Sequence, residues 1–269
     1  MQPCNLETLK PCNPATLNLK PETLNRIERE AGQLNFDGTC LKFSCKNAAE
    51  TTYSNAQLDD YRHLPRRKFL HRPPLTLTVR ARFSHSADEL RGTAGFGFWN
   101  DPFLMTGIRP PTLPRAVWFF FASPPSNMPL AANVPGFGWK AATINALRPQ
   151  FAALLPLAPI AVPLMNLPSL RRLWRIGQRA AQICEKTITA PMTDWHTYTI
   201  RWQKNRVRFM IDGQSLLTCP VAIPGALGFV MWLDNQYMVA APWGRFRWGT
   251  LATAEQWMEV AQLKMQKEK

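Results

Sequence analysis

The residues best suited to acid–base chemistry are three aspartates and a histidine with aromatic neighbours. Asp101 follows Trp99 by two positions, Asp234 lies three positions before Tyr237, and Asp194 stands close to His196. Desolvation by an apolar, aromatic wall favours the neutral form of a carboxyl group, which could then donate a proton. We therefore predict Asp101, Asp234 and His196 as catalytic candidates.

A structural role is the alternative for each of these side chains. Asn100-Asp101 and Asp234-Asn235 are pairs of a kind common in turns, where the side chain bonds its own backbone. His196 lies at the entry to a predicted strand, where a histidine can serve as a hydrogen-bonded structural residue instead of a base. The sequence leaves both interpretations open.

Aromatic side chains offer a second kind of chemistry, contact with a ligand. The chain has 10 Trp and 15 Phe among 269 residues. Such rings can stack on sugars or line a pocket for a lipid-like chain, and others would simply form the core. The predicted ligand-binding set consists of Phe98, Trp99, Asn100, Trp118, Phe120, Trp139, Trp232, Asn235 and Tyr237.

Charge and cysteine usage limit the partners. The formal net charge is +14, which favours anionic surfaces or ligands. The basic residues are spread along the chain without a recognition helix, so nucleic acid is not an expected partner. The 6 cysteines show no paired CxxC spacing. We predict no cofactor, and a structural calcium ion stays open.

The elements that must position these residues are short strands. Leu75, Leu77, Val79, Ala81 and Phe83 alternate with polar residues, as in a half-buried strand. Further strands are predicted at 94–99, 115–122, 197–203, 206–211, 214–218, 226–233 and 244–251, and a closing strand at 257–265. This pattern predicts an all-β sandwich or jelly roll.

The predicted domain organisation has three parts. Residues 1–30 are interpreted as a disordered tail or as sequence upstream of the true start, and residues 31–269 as one domain. No secretory signal is visible, so we predict reduced cysteines and a cytoplasmic protein, with peripheral membrane association left open. Residues 140–184 interrupt the strand pattern as a helical or irregular apolar insertion that caps one face.

Residues 151–167, inside this insertion, are uncharged but contain three prolines and are too short to span a bilayer. Arginines flank this run on both sides. The run therefore either packs on the sandwich or makes peripheral membrane contact through 148–179.

Five stretches resemble a known fold family. They are 194–202 (DWHTYTIRW), 207–213 (VRFMIDG), 228–235 (GFVMWLDN), 258–265 (MEVAQLKM) and 95–99 (GFGFW). Together they are similar to the concanavalin A-like jelly rolls, and most of all to family-16 glycoside hydrolases and laminin-G-like domains. The resemblance implies an antiparallel β-sandwich with a ligand groove on its concave face. It also places Asp101, Asp194 and Asp234 near that face or its rim.

The catalytic strand of that family is missing. An E-x-D-x-E strand supplies its nucleophile and acid/base carboxylates, about 5 Å apart. The corresponding stretch, 115–122, reads RAVWFFFA, and residues 102–184 contain no Asp or Glu. We therefore predict that hydrolysis by the family's mechanism is absent.

Two hypotheses follow. In the first, the groove is an aromatic pocket, covered by the insertion, for an amphipathic or lipid-like molecule, which acid/base action could cyclise or rearrange. In the second, the protein binds or modifies carbohydrate with the same aromatic platform. Polar side chains within the pocket would favour the second, since sugar hydroxyls need hydrogen-bonding partners.

Overall fold

The computed structural model describes residues 23–102 and 109–268, which form two antiparallel seven-stranded sheets packed face to face. From edge to edge, the first sheet contains β1 (Asn25–Arg29), β4 (Asn55–Asp59), β13 (Gly228–Asp234), β6 (Thr93–Trp99), β7 (Arg115–Ala122), β8 (Gly138–Asn145) and β9 (Cys184–Thr187). The second contains β12 (Gln214–Cys219), β11 (Val207–Ile211), β10 (His196–Trp202), β5 (Leu75–Phe83), β16 (Gln256–Lys267), β3 (Leu41–Cys45) and β2 (Gly32–Phe36).

The remaining elements are a β-hairpin and short helices that lie in the connections between strands. β14 (Gln236–Ala240) and β15 (Phe246–Thr250) pair as a hairpin directly after β13. The chain between β8 and β9 forms the helices α1 (Pro149–Ala152), α2 (Ala158–Leu164) and α3 (Trp174–Ala180), joined by 3-10 turns at Leu155–Leu157 and Pro168–Leu173. Residues 149–180 are called the helical segment below. Another 3-10 turn lies at Arg66–Lys68.

The core fills the space between the two sheets. Along β5 every second residue is buried, from Leu75 to Phe83, as the alternation predicts. Phe96 and Phe119 of the first sheet meet Tyr198 of the second, with ring centroids 5.4 and 5.2 Å apart. These edge-on aromatic contacts join the sheets over a large buried apolar area.

The predicted fold class, a concanavalin A-like jelly roll, is confirmed, and the predicted strands are present with small shifts in their ends. The closing strand is β16, in which Met258, Val260 and Leu263 are buried.

Two boundaries differ from the sequence analysis. Residues 25–29, within the predicted tail, form edge strand β1, where Ile27 is the only fully buried position and so gives no alternation to detect. Residues 140–145, within the predicted insertion, belong to β8, which is buried on both faces and therefore lacks a period of two. Residues 1–22, the rest of the predicted tail, lie outside the described residues.

Candidate functional site

The outer face of the first sheet, turned away from the second sheet, carries an aromatic cavity. In β7, Val117, Phe119 and Phe121 face the core, whereas Trp118 and Phe120 face the other way. The cavity has a volume of about 230 Å³. It is lined by Gln57, Thr93, Trp99, Pro114, Trp118, Phe120, Met128, Leu130, Lys140, Ala142, Ile144, Glu185, Val230, Trp232, Asp234, Gln236, Met238 and Ala240.

Two glycines of β6 make room for the aromatic rings. A Cβ at Gly95 would lie 2.4 Å from the Phe119 carbonyl oxygen, and one at Gly97 would lie 2.4 Å from that of Val117. Gly97 also has a φ of +152°, which side chains disfavour. Gly95 lies between Trp232 and Phe120 in the sheet, whose ring centroids approach to 6.0 Å. The glycines therefore let rings from β13 and β7 meet across β6.

Trp118 is the centre of the aromatic group. Its ring stacks on Phe120, with centroids 5.2 Å apart and planes 19° apart, and lies 5.8 Å from Trp232. The indole Nε1 of Trp118 is buried and has no hydrogen-bond partner among the residues that the structure describes. By contrast, Trp99 donates its indole N–H to the Tyr61 hydroxyl at 2.7 Å. Trp118 thus offers both a stacking surface and an unused donor.

A buried ion pair lies at one side of the cavity. Lys140 Nζ is 2.6 Å from Glu185 Oε1, and the two side chains are only 2% and 1% exposed. Lys140 also donates to the Pro135 carbonyl at 2.9 Å, and Glu185 Oε2 accepts from the Ala131 N–H at 2.9 Å. Burial raises the pKa of Glu185, while Lys140 acts in the opposite direction. The pair therefore fastens the loop 123–137, called the wall loop below, to β8 and β9.

Asp234, at the other side of the cavity, is a hydrogen-bond hub. Its Oδ1 accepts from the Thr93 hydroxyl at 2.8 Å, from the Thr93 N–H at 3.2 Å and from the Gln236 N–H at 3.0 Å. Its Oδ2 accepts from the Tyr53 hydroxyl at 3.2 Å, and Trp232 donates to the Thr93 hydroxyl at 2.8 Å. Burial raises the pKa of Asp234 to about 6, against the opposing effect of these donors.

The two carboxylates that line the cavity are too far apart for a glycosidase pair. Glu185 is on β9 and Asp234 is on β13, and three strands lie between them. Four strand spacings amount to about 19 Å along the sheet. Retaining glycosidases need about 5 Å between their carboxyl groups, and inverting enzymes about 6.5–9.5 Å. On β7, the cavity-facing positions are aromatic.

The structure brings five of the predicted site residues together. Trp99, Trp118, Phe120, Trp232 and Asp234 all line the cavity.

The five other predicted ligand-binding residues lie elsewhere. Phe98 and Trp139 face the core, against Trp202 and Phe83 respectively. Tyr237 is on the opposite side of β14 from the cavity-lining residues 236, 238 and 240. The side-chain amide of Asn100 forms hydrogen bonds with the backbone of Leu113 and Arg115. The side-chain amide of Asn235 forms hydrogen bonds with the backbone of residues 49, 52, 54 and 251.

The other polar candidates lie away from the cavity. Asp101 is buried and pairs with Arg109 at 2.7 Å, and Arg109 in turn donates to three carbonyls of residues 61–64. His196 is on the second sheet, with Nδ1 2.6 Å from Asp212 Oδ2. Asp194 is exposed just before β10.

Sequence reasoning missed Gln57, Lys140 and Glu185. Gln57 lies in β4, which the sequence analysis did not identify as a strand, and it pairs in register with Trp232. Lys140 and Glu185 flank the helical segment, so only the pairing of β8 with β9 brings them together. The sequence feature that could have indicated this site is Glu185, which is the first acidic residue after the 83 residues 102–184.

The cover over Trp118 and Phe120 also differs from expectation. The sequence predicts that the insertion covers the aromatic pocket, but the cavity is walled by Met128 and Leu130 of the wall loop and by Met238 and Ala240 of β14. The helical segment lies behind this wall, where Trp174 donates to the Leu130 carbonyl at 2.7 Å.

The described residues include neither a cluster of metal-binding side chains nor a membrane-spanning helix. Over 23–102 and 109–268, no group of three or more His, Cys, Asp or Glu is arranged to hold a metal ion. No helix in these ranges is long and apolar enough to cross a membrane.

Comparison with known families supports the resemblance seen in the sequence. The model of glycosyl hydrolases family 16 matches residues 174–222. No curated protein matches the chain.

Solved structures match over most of the chain. A family 16 endo-glucanase from Bacteroides ovatus, in complex with G4G3G-2F-DNP, is 12% identical with a TM-score of 0.50, over 92% of this chain and 96% of its own. The exoplasmic/lumenal domain of VIP36, in its Ca²⁺/Man3GlcNAc-bound form, is 9% identical with a TM-score of 0.48, over 94% and 87%. The chain also matches a sialidase, of which it spans 17%. The chain is therefore a concanavalin A-like jelly roll, similar to the family 16 glycoside hydrolases.

Proposed function

We propose that the protein binds a saccharide in the aromatic cavity. The observation that carries this proposal is the alternation of rings with polar groups in one depression: Gln57 is next to Trp232, and Lys140 is next to Phe120 in register. Sugar recognition needs an apolar ring face together with hydrogen-bonding groups. The fold shared with a family 16 endo-glucanase supports the same proposal.

The size of the cavity favours a single sugar residue. Its volume of about 230 Å³ lies below the roughly 300–1,000 Å³ of sites for drug-sized ligands. One ring stacked on Trp118 would occupy it, with any further residues outside. The protein would accordingly recognise the end of a glycan or a short branch.

We propose binding without hydrolysis by double displacement. Purified protein incubated with β-glucans and galactans is expected to release no reducing sugar, because Glu185 and Asp234 cannot act on one glycosidic bond from about 19 Å apart. Release that persists in the E185Q and D234N variants would point to another site. Release abolished by either substitution would show that these two carboxylates do cooperate.

Substituting Trp118 tests the binding site. W118A is expected to weaken saccharide binding about 30-fold, which corresponds to the roughly 2 kcal/mol typical of a central aromatic contact. W118F retains a ring but loses the indole N–H, and should weaken binding about fivefold, or about 1 kcal/mol. The measurement is isothermal titration with gluco-, galacto- and manno-oligosaccharides.

Trp248 provides the matched control. It is 62% exposed on β15 and does not line the cavity. W248A should therefore bind saccharide as the wild type does. Equal losses in W118A and W248A, or the absence of binding by the wild type to every sugar tested, would overturn the proposal.

A lipid-like ligand is the second candidate, favoured by the apolar wall that Met128, Leu130 and Met238 provide. Native mass spectrometry with organic extraction would reveal a stoichiometric lipid-like species. Cyclisation or rearrangement of such a ligand by Asp234 finds less support, since both oxygens of that carboxyl already accept hydrogen bonds.

A further inference from the structure

The helical segment exposes several large apolar side chains. Six leucine and isoleucine residues between 155 and 176 are 41–66% exposed, namely Leu155, Leu157, Ile160, Leu164, Leu167 and Ile176. Soluble proteins seldom leave so many large aliphatic side chains together in water. We call this surface the apolar patch.

The charged side chains of the helical segment are all basic. Arg171, Arg172, Arg175 and Arg179 are exposed on the same segment. No Asp or Glu occurs from residue 102 to residue 184. The patch therefore combines apolar area with uncompensated positive charge, which is the complement of an anionic, partly apolar surface.

The β14–β15 hairpin extends this surface. The Asn166 side chain donates to the Trp243 carbonyl at 3.1 Å, and Arg171 lies over the Trp243 ring at 4.6 Å. Phe246, three residues after Trp243, is 63% exposed, and its ring contacts that of Trp248, which is 62% exposed. Aromatic rings of this kind concentrate at membrane–water interfaces.

We propose that the apolar patch and the tip of the hairpin bind the surface of a bilayer that contains anionic lipid. The three helices are 4–7 residues long, and α1 and α2 contain prolines. They therefore lie in the membrane interface and do not span the bilayer. The leucine and isoleucine side chains enter the boundary between headgroups and acyl chains, and the arginines contact lipid phosphates.

This surface shares structural parts with the aromatic cavity. β14 lines the cavity through residues 236, 238 and 240 and pairs with β15, while α3 is bonded to cavity-lining Leu130. Membrane binding would thus hold the cavity beside the lipid surface. The inference does not rest on saccharide binding, and the two can be measured separately.

The test is co-sedimentation of the full chain with lipid vesicles. Wild-type protein is expected to bind vesicles of equimolar phosphatidylcholine and phosphatidylglycerol, and to bind phosphatidylcholine alone far more weakly. The variant R172S/R175S/R179S should bind the anionic vesicles about 100-fold more weakly, at about 1 kcal/mol per arginine. L157S/I160S/I176S, which changes exposed positions only, should bind neither kind.

R201S/K204S/R206S is the control, since it removes three exposed positive charges from the second sheet and the turn that follows β10. It should bind as the wild type does. Absence of wild-type binding to anionic vesicles, or an equal loss in the control, would overturn the proposal. So would a dimer, seen by sedimentation equilibrium, that L157S/I160S/I176S converts to monomer, because a second copy would then cover the patch.

Discussion

Replacing Lys140 by methionine is expected to lower the free energy of unfolding by about 3–5 kcal/mol at neutral pH. The substitution leaves the Glu185 carboxylate buried at 1% exposure without its cation. It also removes the hydrogen bond from Lys140 to the Pro135 carbonyl, which is one of the contacts that hold the wall loop against β8. Urea denaturation followed by tryptophan fluorescence would measure the loss.

The pH dependence of this loss distinguishes a stranded charge from a packing defect. Burial raises the pKa of Glu185, and Lys140 opposes that rise. Without Lys140 the folded state binds a proton on Glu185 more tightly than the unfolded state does. The cost of K140M should therefore be smallest near pH 4 and should grow as pH rises towards 7.

Two further variants complete this test. The double variant K140M/E185Q, which has no buried charge, should recover part of the stability that K140M loses. K186M, at the exposed lysine next to Glu185 on β9, should change stability by less than about 0.5 kcal/mol. A loss in K140M that is the same at pH 4 and pH 7, and that E185Q does not relieve, would show that the ion pair is not its cause.

The sandwich itself could be predicted because its signals are local. Strand β5 shows its period of two directly in the sequence, and Gly95-Phe96-Gly97 indicates a close approach of backbones before any partner strand is known. A resemblance carried by five separate strands then fixes their common fold. Each of these signals lies within about ten residues of chain.

The cavity could be predicted only in part, because it depends on which face each residue occupies. Phe98 and Trp99 are neighbours in the sequence, yet the first lies in the core and the second in the cavity. Likewise, Trp139 lies in the core, whereas Lys140 lines the cavity. A strand that is apolar on both faces gives no sign of which side meets the other sheet, so a list of aromatic residues mixes core with site.

The ion pair shows a different limit. Lys140 precedes the helical segment and Glu185 follows it, so the two residues are 45 positions apart and no local sequence pattern links them. Their meeting requires β8 to pair with β9, so that Ala142 faces Glu185 across the strands. The sequence shows directly that residues 102–184 contain no Asp or Glu. That Glu185, the first acidic residue after them, pairs with Lys140 follows only from the sheet topology.

Asp234 is expected to make the protein less stable as pH rises from about 4 to about 6. Its pKa in the folded protein is about 6, against an ordinary value of 3.8. The folded state therefore holds the proton more tightly than the unfolded state. The stabilisation is complete below the ordinary pKa and is lost as pH rises through the folded value, with a total of about 3 kcal/mol.

The variant D234N isolates this effect. Asparagine keeps an oxygen for the N–H and hydroxyl of Thr93, and its amide can donate to the Tyr53 hydroxyl, but it does not titrate. Relative to D234N, the wild type should lose about 2.4 kcal/mol of unfolding free energy between pH 4 and pH 7. Contributions from the other titrating groups cancel in this difference, which urea denaturation at each pH would supply.

Asp37 offers a control of opposite sign. Hydrogen bonds from the backbone N–H groups of Cys40 and Thr39 and from the Thr39 hydroxyl lower its pKa. Stability that depends on this carboxylate is present above its ordinary pKa and is lost as pH falls. Relative to D37N, the wild type should therefore gain stability as pH rises, whereas relative to D234N it should lose it. A difference from D234N that stays flat with pH would mean that the four donors around Asp234 outweigh its burial, and that Asp234 stays ionised at the edge of the cavity well below pH 6.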